Sequence, residues 1–229
     1  MLTAWQANGD EYWVPAVHAD NVHNERLALL LRSLGPTPGL APIGLERVRG
    51  AFKWFRTIAN WYGGETWTHL QTAQSYAGAL RRRYMEAESS LRLDGPATFR
   101  DTKLRAFLKA EKVNPMLKFQ KPRMIFPRSP RYNLELASRL KPFEHWLWRK
   151  LRIRGHSGKS SRIVGKGLNQ TQRAKLIKSK FDTFRRCAVV EVDGKAFEAH
   201  LDEEVLELEH SVYLRAFPRD SRLAWLLAR

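Results

Sequence analysis

Positive charge in this chain is concentrated in one segment. Between Asp101 and Val190 there are 24 lysines and arginines against 5 aspartates and glutamates, whereas the remainder of the chain holds 16 basic and 18 acidic residues. Charge that served only for solubility would be spread over the whole surface rather than concentrated in one segment. Fixed charge on this scale is typical of a surface or channel that binds phosphate groups. The sequence therefore predicts a polyanionic partner, either nucleic acid or an anionic membrane face.

Other features of the composition exclude several classes of protein. The single cysteine, Cys187, excludes a disulfide framework and a cysteine-based metal site. The first residues lack the basic and apolar regions of a signal peptide, and no apolar run approaches the roughly 20 residues of a membrane span. With 229 residues, 43% of them hydrophobic, the chain is long enough to form one or two domains with a hydrophobic core. We expect a soluble protein of a reducing compartment.

Hydrophobic periodicity predicts a mostly helical chain with a few short strands. Helices are predicted near 24–34, over 45–61, from an N-cap at Thr66 to 91, over 133–151, near 170–181, over 201–217 and after Ser221. Pro142 is expected to kink or split the helix that contains it. Short apolar runs predict strands at 104–108 and 124–126, joined by a basic loop, and a further strand at 187–193. Residues 154–169 are rich in Gly, Ser and Lys and are predicted to form a loop.

The first candidate site lies in the two strands and the basic loop, FLKAEK (107–112) followed by KPRMIFPRSPRYN (121–133). Side chains alternate between the faces of an extended segment, so Lys109 and Glu111 lie on one face, as do Lys121 and Arg123. Fixed cations on one face of a ribbon neutralise a triphosphate and favour the developing pyrophosphate. Judged by spacing alone, a solvated basic hairpin explains the pattern equally well.

The second candidate site is DGKAFEAHL (193–201), which begins at the end of the last predicted strand. A carboxylate in that position is well placed to hold a divalent cation at the edge of a sheet. Asp193 is therefore a candidate metal ligand. An aspartate at a strand end is nevertheless more often a turn former or a helix cap.

Taken together and in this order, the motifs resemble the RNA-dependent RNA polymerases of tombusviruses and related positive-strand RNA viruses. FLKAEK and KPRMIFPRSPRYNLELASRLKPFE are similar to the family's fingers motif, FxKxEK…PRxIxPRxPRYNxxLxxxLxxxE. IVGKGLN (163–169) resembles the loop before the first palm motif, and DGKAFEAHL with LELEHSVYLRAF (206–217) resembles that motif and its following helix. SYAGALRRRY (75–84) is similar to the helix before the fingers motif, so the resemblance covers about residues 60–220.

The resemblance implies an α+β fold, a partial right-hand polymerase with a helical N-terminal region, fingers and the beginning of the palm. It divides the chain into an N-terminal extension (1–60), a fingers region with the basic nucleotide- and RNA-binding motif (61–186) and the start of an incomplete palm (187–229). The implied nucleotide-binding residues are Lys109, Glu111, Lys112, Lys121, Arg123 and Glu198. The implied RNA-binding residues are Arg128, Arg131, Lys159 and Lys166. Asp193 is implied as the catalytic ligand of Mg²⁺ or Mn²⁺.

Some of these positions carry more specific expectations. By the resemblance, Arg123 contacts the incoming triphosphate, whereas Arg128 and Arg131 either touch RNA or brace the fingers. Glu198 stands where the family has an aspartate that helps to recognise the ribose 2′-hydroxyl, and its side chain is one methylene longer. We expect the glutamate to leave metal binding intact. The longer side chain puts the discrimination between ribose and deoxyribose, or full activity, in doubt.

The later palm motifs of the family, SGxxxTxxxN and GDD, do not occur in this sequence. Two-metal phosphoryl transfer needs carboxylates from both the first and the third palm motif, which hold the two ions about 3.5–4 Å apart. We therefore expect the chain to be inactive alone. It would be a fragment, or one half of a split enzyme whose second polypeptide carries the remaining palm motifs and the thumb.

The function implied by the resemblance is template-directed RNA synthesis in viral genome replication, with an RNA template and NTPs as partners. The expected location is the host cytoplasm, in a membrane-associated replication complex if other sequence or partners attach it. The alternative is a non-catalytic, basic RNA-binding accessory protein of replication. A host ribosomal or chromatin protein would explain the charge but not the ordered motifs.

Overall fold

The computed structural model describes residues 5–7, 11–13, 16–34, 41–113, 121–155, 158, 160–194 and 197–229, with the backbone alone for 5–7, 11–13, 198 and 199. Contacts group the chain into two compact units. Unit 1 comprises Met1–Gly39, Lys103–Ser129 and Ala196–His200, and unit 2 comprises Leu40–Thr102, Pro130–Lys195 and Leu201–Arg229. The boundaries predicted at residues 60 and 186 divide the chain by function rather than by contacts, and they stay predictions.

Unit 1 contains most of the short strands. Its elements are β1 (Trp5–Ala7), β2 (Glu11–Trp13), β3 (Ala16–Val17), α1 (Val22–Ala28) continued by a π-helical turn (Leu29–Ser33), β4 (Phe107–Leu108), β5 (Lys112–Val113), β6 (Met124–Ile125) and a 3-10 turn (Phe197–His200). The antiparallel pairs are β1 with β2, β3 with β5, and β4 with β6. The strand pair predicted at 104–108 and 124–126 is confirmed as β4 and β6, although both strands are shorter than expected.

Unit 2 is built from helices and one hairpin. Its elements are α2 (Pro42–Ala59), α3 (His69–Gln74), α4 (Gly78–Asp94), a 3-10 turn (Phe99–Thr102), α5 (Pro130–Lys150), β7 (Arg152–Arg154), β8 (Ser160–Arg162), α6 (Gln170–Phe181), α7 (Glu203–Ala216) and α8 (Ser221–Leu227). The mostly helical content with short antiparallel strands confirms the α+β class. None of the described helices combines the length and apolar character needed to cross a bilayer.

The single helix predicted over 66–91 is in fact two helices, α3 and α4. The N-cap is Thr68 rather than Thr66, because the Thr68 hydroxyl accepts from the N–H of Gln71 while the Gln71 side chain accepts from the N–H of Thr68. At the start of α4, Gly78 has a φ of 58°. A right-handed helix cannot continue through a residue in that conformation, so the chain breaks between α3 and α4.

The helix α5 runs through Pro142 without being split, so of the two expected effects of this proline the split is wrong. Proline has no N–H and so leaves the carbonyl of the residue four positions earlier, Ser138, without its helical partner. The backbone N–H of Trp67 donates to that carbonyl over 2.9 Å. Because a distant segment supplies the missing hydrogen bond, the helix tolerates the proline in its interior.

The predicted loop at 154–169 is also partly wrong, because it contains one strand of a hairpin. In the pairing of β7 with β8, Arg152 lies opposite Arg162 and Arg154 opposite Ser160. The guanidinium of Arg152 donates to the hydroxyl (3.1 Å) and carbonyl (2.8 Å) of Ser160 across the hairpin. The composition of this segment predicts its turn but not the pairing around it.

Two buried clusters form the core of unit 2, and α5 contributes to both. In the first cluster the ring of Phe143 lies 5.1 Å from Tyr62 and 6.2 Å from Phe217. A phenylalanine that is fully buried contributes about 3–5 kcal/mol relative to alanine. In the second cluster Leu134 is fully buried, and the hydroxyl of Tyr132 donates to the Leu226 carbonyl over 2.6 Å. This packing makes α5 the central helix of the unit.

A buried ion pair also ties α5 to α8. The guanidinium of Arg222 donates to the Glu135 carboxylate over 2.6 Å and to the carbonyl of Ala97. The same carboxylate accepts from the backbone N–H of Ala97 over 2.9 Å. Burial alone would raise the pKa of Glu135, but the hydrogen bonds from Arg222 and Ala97 outweigh it and hold that pKa below its usual value. The Glu135 carboxylate is therefore ionised, and both of its oxygens accept hydrogen bonds.

Candidate functional site

The predicted nucleotide-binding ribbon is an antiparallel strand pair in unit 1. Phe107 lies opposite Ile125 and Leu108 opposite Met124. The ladder continues beyond the assigned strands, because the N–H of Lys109 donates to the carbonyl of Arg123 over 2.8 Å. The fold therefore brings Lys109 and Arg123 next to each other although they are distant in sequence. The alternation of side chains predicts which residues share a face along each strand, whereas this adjacency comes from the pairing of the two strands.

The carboxylate of Glu111 holds these two cations together. It accepts from the ammonium of Lys109 at 2.5 Å and lies 3.4 Å from the guanidinium of Arg123. The hydrogen bond from Lys109, followed by the charge of Arg123, holds the pKa of Glu111 below its usual value. All three side chains are 35–47% exposed, so solvent screens the pairs and they contribute little to stability. The two pairs instead orient the cations of Lys109 and Arg123 on one accessible face.

A further cation, Arg32, was not predicted as a site residue. It lies in the π-helical turn after α1, and its guanidinium donates to the backbone carbonyl of Lys121 over 3.4 Å. Its charge also lowers the pKa of Glu111. Nothing in the local sequence around Arg32 signals this role, because only the tertiary fold of unit 1 brings the turn to the ribbon. We name Arg32, Lys109, Glu111, Lys121 and Arg123 the basic ribbon.

Lys112 and Lys121 occupy less central positions. Lys112 lies in β5, where it pairs with Val17, and its side chain is exposed. Lys121 is exposed at the start of the strand segment that leads into β6. Both side chains are available to an anion at the surface of unit 1.

Arg131 is held by other protein groups. Its guanidinium donates to the Ser90 hydroxyl at 2.5 Å and to the carbonyls of Gly95 and Pro96 at 2.8 and 3.2 Å, and it lies 3.4 Å from a carboxylate oxygen of Asp101. Only 17% of the side chain is exposed. Of the two roles expected for this residue, these contacts favour bracing the fold over touching RNA.

The remaining predicted RNA-binding residues are spread over both units. Arg128 is half-buried in unit 1. Lys166 is exposed in unit 2, where its ammonium lies 5.3 Å from the centre of the Trp148 ring. Lys159 lies outside the described residues. Their assignment to RNA stays a prediction.

The strand predicted at 187–193 does not form among the described residues. Residues 187–194 have no regular secondary structure, and Val190 and Val192 are 83% and 89% exposed. A strand needs a neighbour to accept and donate its backbone hydrogen bonds, and no described strand pairs with this segment. The apolar run predicted a strand from side-chain pattern alone, which cannot supply that neighbour.

Asp193 lies in this exposed segment of unit 2, and its carboxylate makes no hydrogen bond or ion pair with the described residues. The backbone at Glu198 is in the 3-10 turn of unit 1, and its side chain lies outside the described residues. The structure thus assigns Asp193 and the basic ribbon to different compact units.

The donor chemistry of Asp193 fits a magnesium ion, but the number of donors does not complete a site. Mg²⁺ prefers oxygen ligands and is typically held by one or two carboxylates together with substrate phosphates and water. An exposed, unengaged carboxylate matches one of those ligands. Among the described residues, however, no group of three or more His, Cys, Asp or Glu side chains converges. Asp193 is therefore a single candidate ligand.

The comparisons with known proteins agree with the motifs. A family model described as viral RNA-dependent RNA polymerase matches residues 19–229. The chain is 35% identical over 218 residues to the RNA-directed RNA polymerase of Tobacco necrosis virus (strain A), covering 90% of this chain and 29% of that protein. Polymerases of Melon necrotic spot virus (36% identity; 90% and 27% covered) and Turnip crinkle virus (36%; 88% and 26%) are similar.

The chain spans less than a third of the length of these curated relatives. No solved structure shows significant similarity to it. The match to the family model nevertheless covers both the basic ribbon and Asp193. The chain belongs to the family of viral RNA-dependent RNA polymerases.

Proposed function

We propose that this chain supplies the fingers and the first metal-binding palm motif of a polymerase that synthesises RNA on an RNA template. In this proposal the basic ribbon binds the triphosphate of an NTP, and Asp193 holds a metal ion for the same reaction. The remaining palm carboxylates and the thumb would come from further sequence of the same polypeptide or from a second one. The chain alone would then bind RNA and NTPs without joining them, because the third palm motif is missing from its sequence.

In this proposal the residues of the chain act by binding and orientation. Lys109, Lys121 and Arg123 hold the triphosphate, so that its α-phosphate lies in line with the 3′-hydroxyl of a primer or an initiating nucleotide. Their fixed charge also stabilises the pyrophosphate as it leaves. Asp193 would hold a divalent cation, which supplies charge neutralisation at the reacting phosphate when bound. Glu198 would lie near the ribose.

The observation that carries the proposal is the convergence of Lys109 and Arg123 on Glu111. A surface hairpin needs no such arrangement, because exposed ion pairs add little stability. A carboxylate shared by two cations orients both of them and leaves a net positive charge, which preorganises them for a triphosphate. The same residues are those that the resemblance to the polymerase family assigns to nucleotide binding.

Replacing Arg123 by alanine tests the role of the ribbon. In a polymerase that contains this chain and the remaining palm motifs, we expect kcat/KM for NTPs to fall about 10- to 150-fold. That range corresponds to the loss of one charged hydrogen bond, roughly 1.5–3 kcal/mol. Single-nucleotide incorporation at varied NTP concentration measures it, with RNA held at saturation.

Arg105→Ala provides the matched control, because Arg105 is an exposed arginine on the other strand of the same pair, where its backbone N–H donates to the Pro127 carbonyl over 3.0 Å. Its loss should leave NTP use nearly unchanged. If Arg123→Ala instead weakened RNA binding while kcat/KM for NTPs stayed at the parent value, the ribbon would be an RNA surface. That result would contradict the proposed role of the ribbon in triphosphate binding.

The sequence of the coding RNA on either side of the chain tests the proposal independently. We expect an SGxxxTxxxN motif followed by GDD, either in the same reading frame or in a companion segment. If the natural protein ended at Arg229 and no companion segment existed, RNA synthesis would have no complete set of carboxylates. The catalytic part of the proposal would then fail.

A further inference from the structure

A basic cleft lies along the contact between α2 and α7 in unit 2. Its volume is about 700 Å³, and the lining residues that bear on its chemistry are Lys53, Arg56, Thr57, Asn60, Ser211 and Arg215. Three of these carry positive charge, and no lining residue that the structure describes carries a carboxylate. The guanidinium of Arg56 donates to the Ser211 hydroxyl over 3.1 Å, which fixes it across the cleft. The cleft therefore suits a phosphate group, which accepts hydrogen bonds from fixed cations and polar side chains.

Two tryptophans in the C-terminal half of α2 and directly after it are unusually exposed. Trp54 is 48% exposed and Trp61 is 71% exposed. Each directly follows a cleft-lining residue in the sequence, Lys53 and Asn60 respectively. The Trp54 ring makes an edge contact with the Phe55 ring at 5.0 Å, and the backbone N–H of Trp61 donates to the Ile58 carbonyl over 2.9 Å. The Trp54 ring is therefore held against α2, the backbone of Trp61 is held at the end of this helix, and much of the surface of both indole rings faces solvent.

We infer that this surface binds single-stranded RNA, with backbone phosphates in the α2–α7 cleft and unpaired bases on Trp54 and Trp61. Proteins that bind single strands without sequence preference combine a positively charged groove with aromatic side chains on which bases stack. Duplex RNA cannot use the tryptophans, because its bases are already stacked on one another. A protein partner is disfavoured by the three cations without a lining carboxylate. The inference goes beyond the proposed nucleotide site, since it assigns RNA to residues outside the basic ribbon and Asp193.

The stacking part is tested with Trp54→Ala, Trp61→Ala and the double variant of the chain. The probe is a fluorescently labelled oligouridylate of about ten nucleotides, within the range of such sites, and the readout is fluorescence anisotropy. Each substitution should weaken binding about fivefold or more, since stacking of one base is worth about 1–3 kcal/mol. Binding of a duplex of the same length should not change. Phe99→Ala, which removes an aromatic side chain that is 65% exposed elsewhere in unit 2, is the matched control.

The phosphate part is tested with the double variant Lys53→Gln/Arg215→Gln, whose side chains are exposed. The slope of log Kd against log salt concentration should fall by about 0.7 for each phosphate that the protein no longer neutralises, or about 1.4 in total. The tryptophan variants should bind more weakly with an unchanged slope. Arg82→Gln/Arg83→Gln removes two exposed charges from α4 and should leave the slope unchanged if phosphate binding is specific to the cleft.

Three results would overturn the inference. The tryptophan variants could bind the oligouridylate as tightly as the parent chain. They could bind single-stranded and duplex RNA more weakly to the same degree, which would mean that no stacking occurs. They could change the oligomeric state without changing RNA affinity, which would identify the surface as a protein interface. None of these results bears on Arg123 or Asp193, so failure here is distinguishable from failure of the proposed polymerase function.

Discussion

Alanine in place of Asp193 is expected to lower the rate of nucleotide incorporation by roughly a thousandfold or more in a polymerase that contains this chain. The reason is that a catalytic metal supplies several kcal/mol of transition-state stabilisation, and each 1.4 kcal/mol is a factor of ten. RNA affinity should stay nearly unchanged, because it rests on cations and not on this carboxylate. Single-turnover incorporation and RNA binding measured on the same preparation separate the two effects.

Glu191→Gln is the matched control for that experiment. Glu191 is an exposed carboxylate two residues before Asp193, in the same segment without regular secondary structure. Its loss removes an equal charge without removing the proposed ligand, so incorporation should continue near the parent rate. If Asp193→Ala and Glu191→Gln lowered the incorporation rate equally, the segment would contribute only its negative charge. An Asp193→Ala enzyme with parental activity would remove Asp193 from the metal site altogether.

Glutamine in place of Glu135 is expected to destabilise the chain by about 3–5 kcal/mol, the usual cost of leaving a buried charge without its partner. The substitution leaves Arg222 and the Ala97 N–H, both bonded to this carboxylate, with a weaker acceptor. Urea unfolding of the parent chain and the variant measures the difference. The control is Asp182→Asn, which breaks the exposed pair of Asp182 with Lys178 and should cost less than about 1 kcal/mol.

The same carboxylate predicts a dependence of stability on pH. Because the folded state holds the pKa of Glu135 below its ordinary value of 4.5, the ionised pair stabilises the fold fully above that value. This contribution is lost as the pH falls through the lowered folded-state pKa. The parent chain should therefore lose more stability on acidification than Glu135→Gln does. If the free energies of unfolding of the two proteins fell equally with decreasing pH, Glu135 would not titrate as described.

Local sequence signals predicted much of the secondary structure. The helix at 170–181 has the predicted bounds, because Asn169 and Gln172 form a capping box that fixes its start. The pairing of β4 with β6 followed from two short apolar runs separated by a basic stretch. In these cases the deciding interactions lie within a few residues, or between neighbouring strands, where periodicity and capping reveal them.

Interactions between distant segments were not predictable in the same way. The helix through Pro142 survives because the Trp67 N–H reaches Ser138, and no pattern near Pro142 signals that bond. Arg32 joins the basic ribbon through a tertiary contact with Lys121. The strand expected at 187–193 failed for the opposite reason, since an apolar run does not guarantee a pairing neighbour.

Recognition of the candidate site depended on the order of its motifs. The basic stretch alone was equally consistent with a solvated hairpin, and the spacing of Lys109 and Arg123 could not show that they share Glu111. The ladder bond from the Lys109 N–H to the Arg123 carbonyl creates that arrangement. Arg131 illustrates the converse, because its motif position suggested two roles and its contacts with Ser90, Gly95 and Asp101 favour one of them.

The proposed function requires Asp193 to hold a metal ion on the same triphosphate that the basic ribbon binds. The most direct test uses an NTP that carries an acyl group on its γ-phosphate, which acylates a lysine amine beside the triphosphate. In the complete polymerase with Mn²⁺, peptide mapping should find the acyl group on Lys109 or Lys121. Labelling should drop when Mn²⁺ is withheld or in Asp193→Asn, but not in Glu191→Gln. Labelling of these lysines that is indifferent to both Mn²⁺ and Asp193 would contradict a shared site.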